Sequence, residues 1–163
     1  MTNLPMSVEP MFVAAGWSPT RRVAVPRQVL VGHPAYDVLA EFGGLRVGHV
    51  GSGEECASSD VSFHQVPEGN SLVQAWSRLL QTQLEGVAEV HNAHGELYMD
   101  STGRVFEVSL IDDAFCFVGS SFTEAIERLL LGRRCRPVLK PGERRTSIYG
   151  ETIVSDDPRV YRF

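Results

Sequence analysis

Apolar side chains recur at helical spacing in four stretches of the chain and cluster at strand spacing in six. Met11, Phe12 and Ala15 share one face of a short predicted helix that Ser7 caps and Gly16 ends. Pro34 suits a first helical turn, and Ala35, Val38, Leu39 and Phe42 then follow the i, i+3, i+4, i+7 pattern of a buried stripe. That stripe runs into Gly43-Gly44, where Gly43 is expected to take a positive φ and Gly44 to turn the chain sharply into the next element. A third helix carries Leu72, Val73, Trp76, Leu79, Leu80 and Leu84, capped by Asn70 or Ser71. A fourth opens on the capping box Ser121-Phe122-Thr123-Glu124, buries Phe122, Ala125, Ile126, Leu129 and Leu130, and stops at Gly132.

Strand patterns fall at Leu45 to Val50, Val61 to Val66, Val87 to Val90, Glu96 to Met99, Arg104 to Leu110 and Ala114 to Val118, with one short strand expected near Arg22 to Val25. Between the first two lies a glycine-rich acidic loop with Gly51, Gly53, Glu54 and Glu55. Short connections at Asn92 to Gly95, Asp100 to Gly103 and Asp112-Asp113 imply antiparallel neighbours, with Gly103 in a left-handed hairpin position. The expectation is an α+β single domain: a mostly antiparallel central sheet of about five or six strands, flanked by about four helices. Residues 1–133 form its body, and the Pro- and Arg-rich stretch 134–163 is a basic extension packed on it or wrapping it.

At 163 residues the chain suits one domain with a core of its own. Its three cysteines, Cys56, Cys116 and Cys135, are odd in number and widely spaced, against a disulfide framework and in keeping with a reducing compartment. Cys116, within Ala114 to Val118, reads as core packing. No apolar run reaches the ~20 residues of a membrane helix, and the N-terminal residues lack the pattern of a secretory signal, so a cytoplasmic location is expected. Residues 1–132 hold 7 basic and 16 acidic side chains, against 8 and 4 in 133–163, giving a body of about −9 and a tail of about +4. An acidic body disfavours direct contact with nucleic acid and favours a basic partner, although the same charge also serves solubility.

Catalytic patterns are weak. His94-Gly95-Glu96 has the H-x-E of zinc deaminases, but no P-C-x-x-C accompanies it. His91 and His94 lie across an expected bend. No G-x-S-x-G or phosphate loop is present, and the consecutive acids Glu54-Glu55, Asp112-Asp113 and Asp156-Asp157 read as solvated turns. No catalytic residue, cofactor or metal is assigned. The enzymatic alternative is a small metal-dependent hydrolase or deaminase using His91, His94 and Glu96.

In their order and spacing, Ala14 to Val23 (with Gly16-Trp17-Ser18-Pro19-Thr20-Arg21-Arg22), Leu39-Ala40-Glu41-Phe42-Gly43-Gly44-Leu45, Gly103-Arg104-Val105-Phe106, and Phe122 to Ile126 with Gly132 resemble the third group of the SUKH superfamily, the bacterial immunity proteins of polymorphic toxin systems. The resemblance runs from about residue 10 to 133. Thr20 replaces a glycine of the pattern, Ala24 an acidic residue, and Val87-Ala88-Glu89 departs from a glycine before the glutamate. The resemblance implies binding and neutralising a cognate toxin, commonly a nuclease or nucleic-acid deaminase, without catalysis, membrane insertion or direct nucleic-acid binding. A regulatory protein-binding module is a further alternative. Gly16, Trp17, Arg21, Phe42, Gly43, Gly44, Gly103 and Arg104 are then structural motif residues, with Trp17 a core anchor and Arg21 or Arg22 paired with a carboxylate beside it. Toxin contact is assigned to the exposed loop with Glu54, Glu55 and Asp60, together with Glu89 and Glu96.

Overall fold

The computed structural model describes residues 2–67 and 69–163, and its backbone follows the apolar periodicity closely. The helices are α1 (Glu9–Ala14), α2 (Pro34–Phe42), α3 (Ser71–Leu80) and α4 (Phe122–Leu131). The strands are β1 (Arg46–Ser52), β2 (Ala57–Phe63), β3 (Leu84–Val90), β4 (Gly95–Asp100), β5 (Val105–Ser109), β6 (Phe115–Gly119), β7 (Arg136–Pro137), β8 (Arg145–Ile148) and β9 (Glu151–Val154). Strands β1 to β7 pair in sequence order as one antiparallel meander, and β8–β9 is a separate hairpin. The α+β class is as expected. The sheet has one strand more than expected because the tail supplies β7.

Alternation along the strands gives the sheet two apolar faces. One packs Val61, Phe63, Leu97, Met99, Cys116 and Val118 against α1, α2, α4 and parts of the tail. Phe42 is its centre, 5.1 Å from both Phe12 and Phe122 and 5.5 Å from Phe63. The other face packs Tyr98, Phe106, Val108, Phe115 and Phe117 under α3. Trp76 of α3 stacks on Phe115 at 4.5 Å, and Tyr161 from the tail stacks on Phe117 at 4.0 Å. Only Trp76 and Val73 of α3 are buried, and β1 leaves Arg46, Gly48 and Val50 exposed. The β1–β3 end of this second face therefore stays open.

Several local expectations are corrected. Ser7 does not cap α1: its hydroxyl donates to Glu127, and Val8 takes the cap position without a side-chain bond. Arg22 to Val25 is not a strand; Val23 N donates to Ala40 O of α2 instead. β2 begins at Ala57, earlier than expected, and Leu84 belongs to β3 because Gln81 in the left-handed region (φ 52°) ends α3. In the capping box, Ser121 Oγ accepts from Glu124 N, but the Glu124 carboxylate reaches Ser120 N at 2.9 Å and not the cap residue's own N–H.

The double glycine exchanges its two expected roles. Gly44 holds the positive φ of 82°, whereas Gly43 sits at −48°. Gly43 is required sterically, because a Cβ there would lie 2.5 Å from Leu39 O. Arg21 closes the junction, donating from Nη1 to Glu41 O and from Nη2 to Gly43 O, both at 2.7 Å.

Candidate partner-binding site

The motif residues assemble into scaffold. Trp17 is buried, stacks on Phe42 and donates from Nε1 to Glu41 Oε1 at 3.2 Å. Glu41, only 2% exposed, also accepts from Thr2 N at 2.9 Å, and Arg22 lies 3.9 Å from it. Thus Arg22 pairs with the carboxylate beside the tryptophan, while Arg21 neutralises carbonyls at the helix end. Gly16 (φ 95°) and Gly103 (φ 92°) hold left-handed turns. Arg104 pairs with Asp100 at 2.7 Å and lies 5.5 Å over the Phe106 ring.

The assigned acidic residues separate into three groups. Glu54 and Glu55 stand at the β1–β2 hairpin tip, which is docked and not free. Glu54 N donates to Leu131 O, and Glu55 N and Cys56 N to Gly132 O, at 2.8 to 2.9 Å, so the tip satisfies the last carbonyls of α4. The approach is close enough that a Cβ on Gly53 would lie 2.6 Å from Gly132 Cα. Two carboxylates beside a helix C-terminus are unfavourable alone. Arg133 answers Glu54 at 2.7 Å and Arg134 N donates to Glu55 at 2.8 Å. The first of these bonds holds the Glu54 carboxyl below its usual range, partly offset by desolvation.

Asp60 is not on the exposed loop. It lies in β2, 3% exposed, bridged to Arg46 at 2.8 Å and accepting from Asn92 N at 2.8 Å. Together with Ser59 Oγ, which accepts from His91 N at 3.0 Å, it anchors the β3–β4 turn. That turn needs an anchor: His91, Asn92 and Ala93 all have positive φ (53°, 54° and 63°), a rare run for residues with side chains. Buried in this way, the Asp60 carboxylate positions the turn.

Glu89 and Glu96 are the pair that the fold leaves open. They face each other across β3 and β4, on the open side of the sheet, one step from the 91–94 turn. Glu96 Oε2 accepts from Tyr98 OH at 2.7 Å, and burial followed by this bond pushes the Tyr98 phenol up. Glu89 has His64 at 3.7 Å. Among the described residues neither carboxylate has an Arg or Lys bridge. Like charges directly opposite in a sheet cost stability.

The enzymatic alternative is not assembled. Glu96 points to the α3 face with Tyr98 and Asn70, whereas His91 reaches Glu107 of β5, at 3.6 Å, on the other face. Among the described residues, no group of three or more His, Cys, Asp or Glu side chains is placed to hold a metal ion. No helix among them is long and apolar enough to cross a membrane. Sequence reasoning missed Glu41 and Glu107. A buried tryptophan N–H beside two arginines signals the need for a carboxylate like Glu41, but nothing local marks Glu107, which its register alone brings to His91.

Comparison with curated proteins and with solved structures gives no significant match. The family model described as SUKH-3 immunity protein matches residues 4–132, from the first turn before α1 through the glycine that ends α4. The matched span holds the Trp17–Glu41–Arg21 junction, strands β1 to β6 of the meander and the hairpin-to-α4 clamp, and it covers most of the chain, so the chain belongs to the SUKH-3 immunity protein family.

Proposed function

We propose that this protein is the immunity partner of a polymorphic toxin, binding a nuclease or nucleic-acid deaminase in the cytoplasm of a bacterium and neutralising it by occlusion, without catalysis of its own. Family membership over residues 4–132 is the observation that carries the reading. Chemistry supports the choice of target: enzymes that act on nucleic acid present basic clefts, and an acidic body steers association toward them and fills them.

The contact surface in this reading centres on Glu89 and Glu96, whose opposed carboxylates have no Arg or Lys bridge among the described residues. Glu54 and Glu55 are already engaged by Arg133 and Arg134 at the end of α4, and Asp60 holds the 91–94 turn. The tail itself is less available than its composition suggests. Arg133 pairs with Glu54 and Glu127, Arg134 with Glu151, and Arg159 with Glu151 and Asp157.

Co-expression with each toxin encoded beside the gene tests the proposal. Suppressed toxicity and a stable complex are expected from one of them, and Glu89→Lys with Glu96→Lys should abolish both while leaving the thermal transition in place. Association should slow at least about tenfold between roughly 0.05 M and 0.5 M salt. Failure to rescue against every neighbouring toxin refutes the immunity reading, and a salt-independent rate refutes the steering.

A further inference from the structure

The 91–94 turn separates two acidic regions. Glu89 and Glu96 flank it on one face of the sheet, and on the other face a cleft of about 280 Å³ opens beneath it. The cleft lies between this turn, the Cys56-Ala57 start of β2, β5 and the β8–β9 turn. Its volume is just under the ~300–1,000 Å³ of clefts for drug-sized ligands, which leaves room for one long side chain. The carboxylate of Glu107, 13% exposed, lies in its lining. Gly95 makes space for that carboxylate, since a Cβ there would lie 2.9 Å from Glu107 Oε1.

Glu107 is incompletely satisfied. His91 Nε2 is 3.6 Å away, too far for a hydrogen bond, and among the described residues the one donor to the carboxylate is the Cys135 thiol, a weak donor at a long 3.9 Å from Oε2. No Arg or Lys among the described residues bridges it. Burial pushes its carboxyl above the usual range. His91 opposes that rise as the nearby positive charge, while the same carboxylate adds to burial in raising the thiols of Cys56, Cys116 and Cys135 and the phenol of Tyr149. Ile148 and the exposed Ile111 give the cleft apolar walls, and His91, His94 and Tyr149 give it flat rings. A buried anion under apolar walls and planar rings matches a guanidinium on an aliphatic stem. Such a group bonds a carboxylate through two parallel N–H donors, stacks on rings, and sheds water more readily than an ammonium.

We propose that this cleft receives an arginine side chain presented by a protein partner, with Glu107 as the anion that recognises it. The partner's identity as a toxin rests on the function proposed above; the cleft's chemistry does not. With Glu89 and Glu96 across the turn, a partner gripping this end of the sheet meets carboxylates on both sides of one ridge.

The test uses the full chain and N-acetyl-L-arginine amide, followed through the imidazole NMR signals of His91 and His94. Saturable shifts with a dissociation constant in the roughly millimolar range are expected, as suits a single charged side chain. Glu107→Gln should weaken binding about tenfold or more, and the uncharged N-acetyl-L-citrulline amide should not bind. Saturation by the citrulline analogue at the same concentration, unchanged affinity in Glu107→Gln, or no saturation with the arginine probe up to about 50 mM each overturns the proposal. Should Glu107→Gln fail to fold, the two probes on the wild-type chain still decide it. Because no toxin is present, a negative result condemns the cleft and leaves the immunity reading standing.

Discussion

Asp100 carries a carboxylate into the β4–β5 bend with no exposed surface, and the bend is built around it. Its Oδ1 accepts from Thr102 N at 2.9 Å and Arg104 N at 3.0 Å, and its Oδ2 from Arg104 Nε at 2.7 Å. Burial alone pushes this carboxyl up, but the hydrogen bonds from Thr102 and Arg104 outweigh it and hold it below the usual range. The folded value therefore lies under the unfolded one, near 3.9. The resulting stabilisation is complete above that unfolded value and is lost as pH falls through the folded one. Asp100→Asn should cost about 1.5–3 kcal/mol at neutral pH and flatten the loss of stability in acid. Urea unfolding at pH 7 and pH 3 measures both, and an unchanged acid limb removes Asp100 as its source. The sequence marks Asp100 to Gly103 as a turn, and Arg104 follows as a motif residue. The ion pair itself depends on the bend bringing Arg104 back over the carboxylate.

Among the elements, the contact between the β1–β2 hairpin tip and the end of α4 governs how the acidic loop is presented. Three backbone N–H groups of the tip satisfy α4 carbonyls, which requires Gly53 and Gly132 to meet without side chains. Gly53→Ala should destabilise the protein by about 1–3 kcal/mol through overpacking. Glu54→Ala, which removes only an exposed pair with Arg133, should cost a small fraction of that. Chemical denaturation of the two variants compares them; equal losses argue against the clamp. A glycine-rich acidic stretch reads in sequence as a solvated turn, since turn chemistry and charge are local properties. Its donors reach residues 131 and 132, nearly eighty positions away, and no local pattern carries that information. The double glycine is similar in kind. A helix stop is legible there, but which glycine takes the positive φ depends on Gly44 N donating to Phe63 O in β2.

Over the whole molecule, the basic tail is part of the core. Cys135, Leu139, Ile148, Ile153 and Val160 are buried with the helices of one face, and Val138 with the other, while β7 extends the sheet. At about 1.5–3 kcal/mol per fully buried apolar side chain, these six together are comparable with the ~5–15 kcal/mol net stability of a domain. A chain ending at residue 133 should therefore lose its cooperative thermal transition and aggregate, as read by circular dichroism and size-exclusion chromatography. Retention of the full-length Tm by 1–133 disproves this dependence. The match to the family model ends at 132, and the composition changes there too, so the sequence marks a boundary that the packing crosses. What the sequence determined by itself is the set of elements: their apolar periods, the Asn70 and Ser121 caps and the short turns that make the meander antiparallel. These rest on interactions within a few residues. Tertiary structure alone decided which carboxylates are available. It buried Asp60 beneath a strained turn, tied Glu54 and Glu55 to the tail, left Glu89 and Glu96 facing each other, and set Glu107 in a cleft. Availability of a charge is a property of its surroundings, and those surroundings come from parts of the chain far apart in sequence.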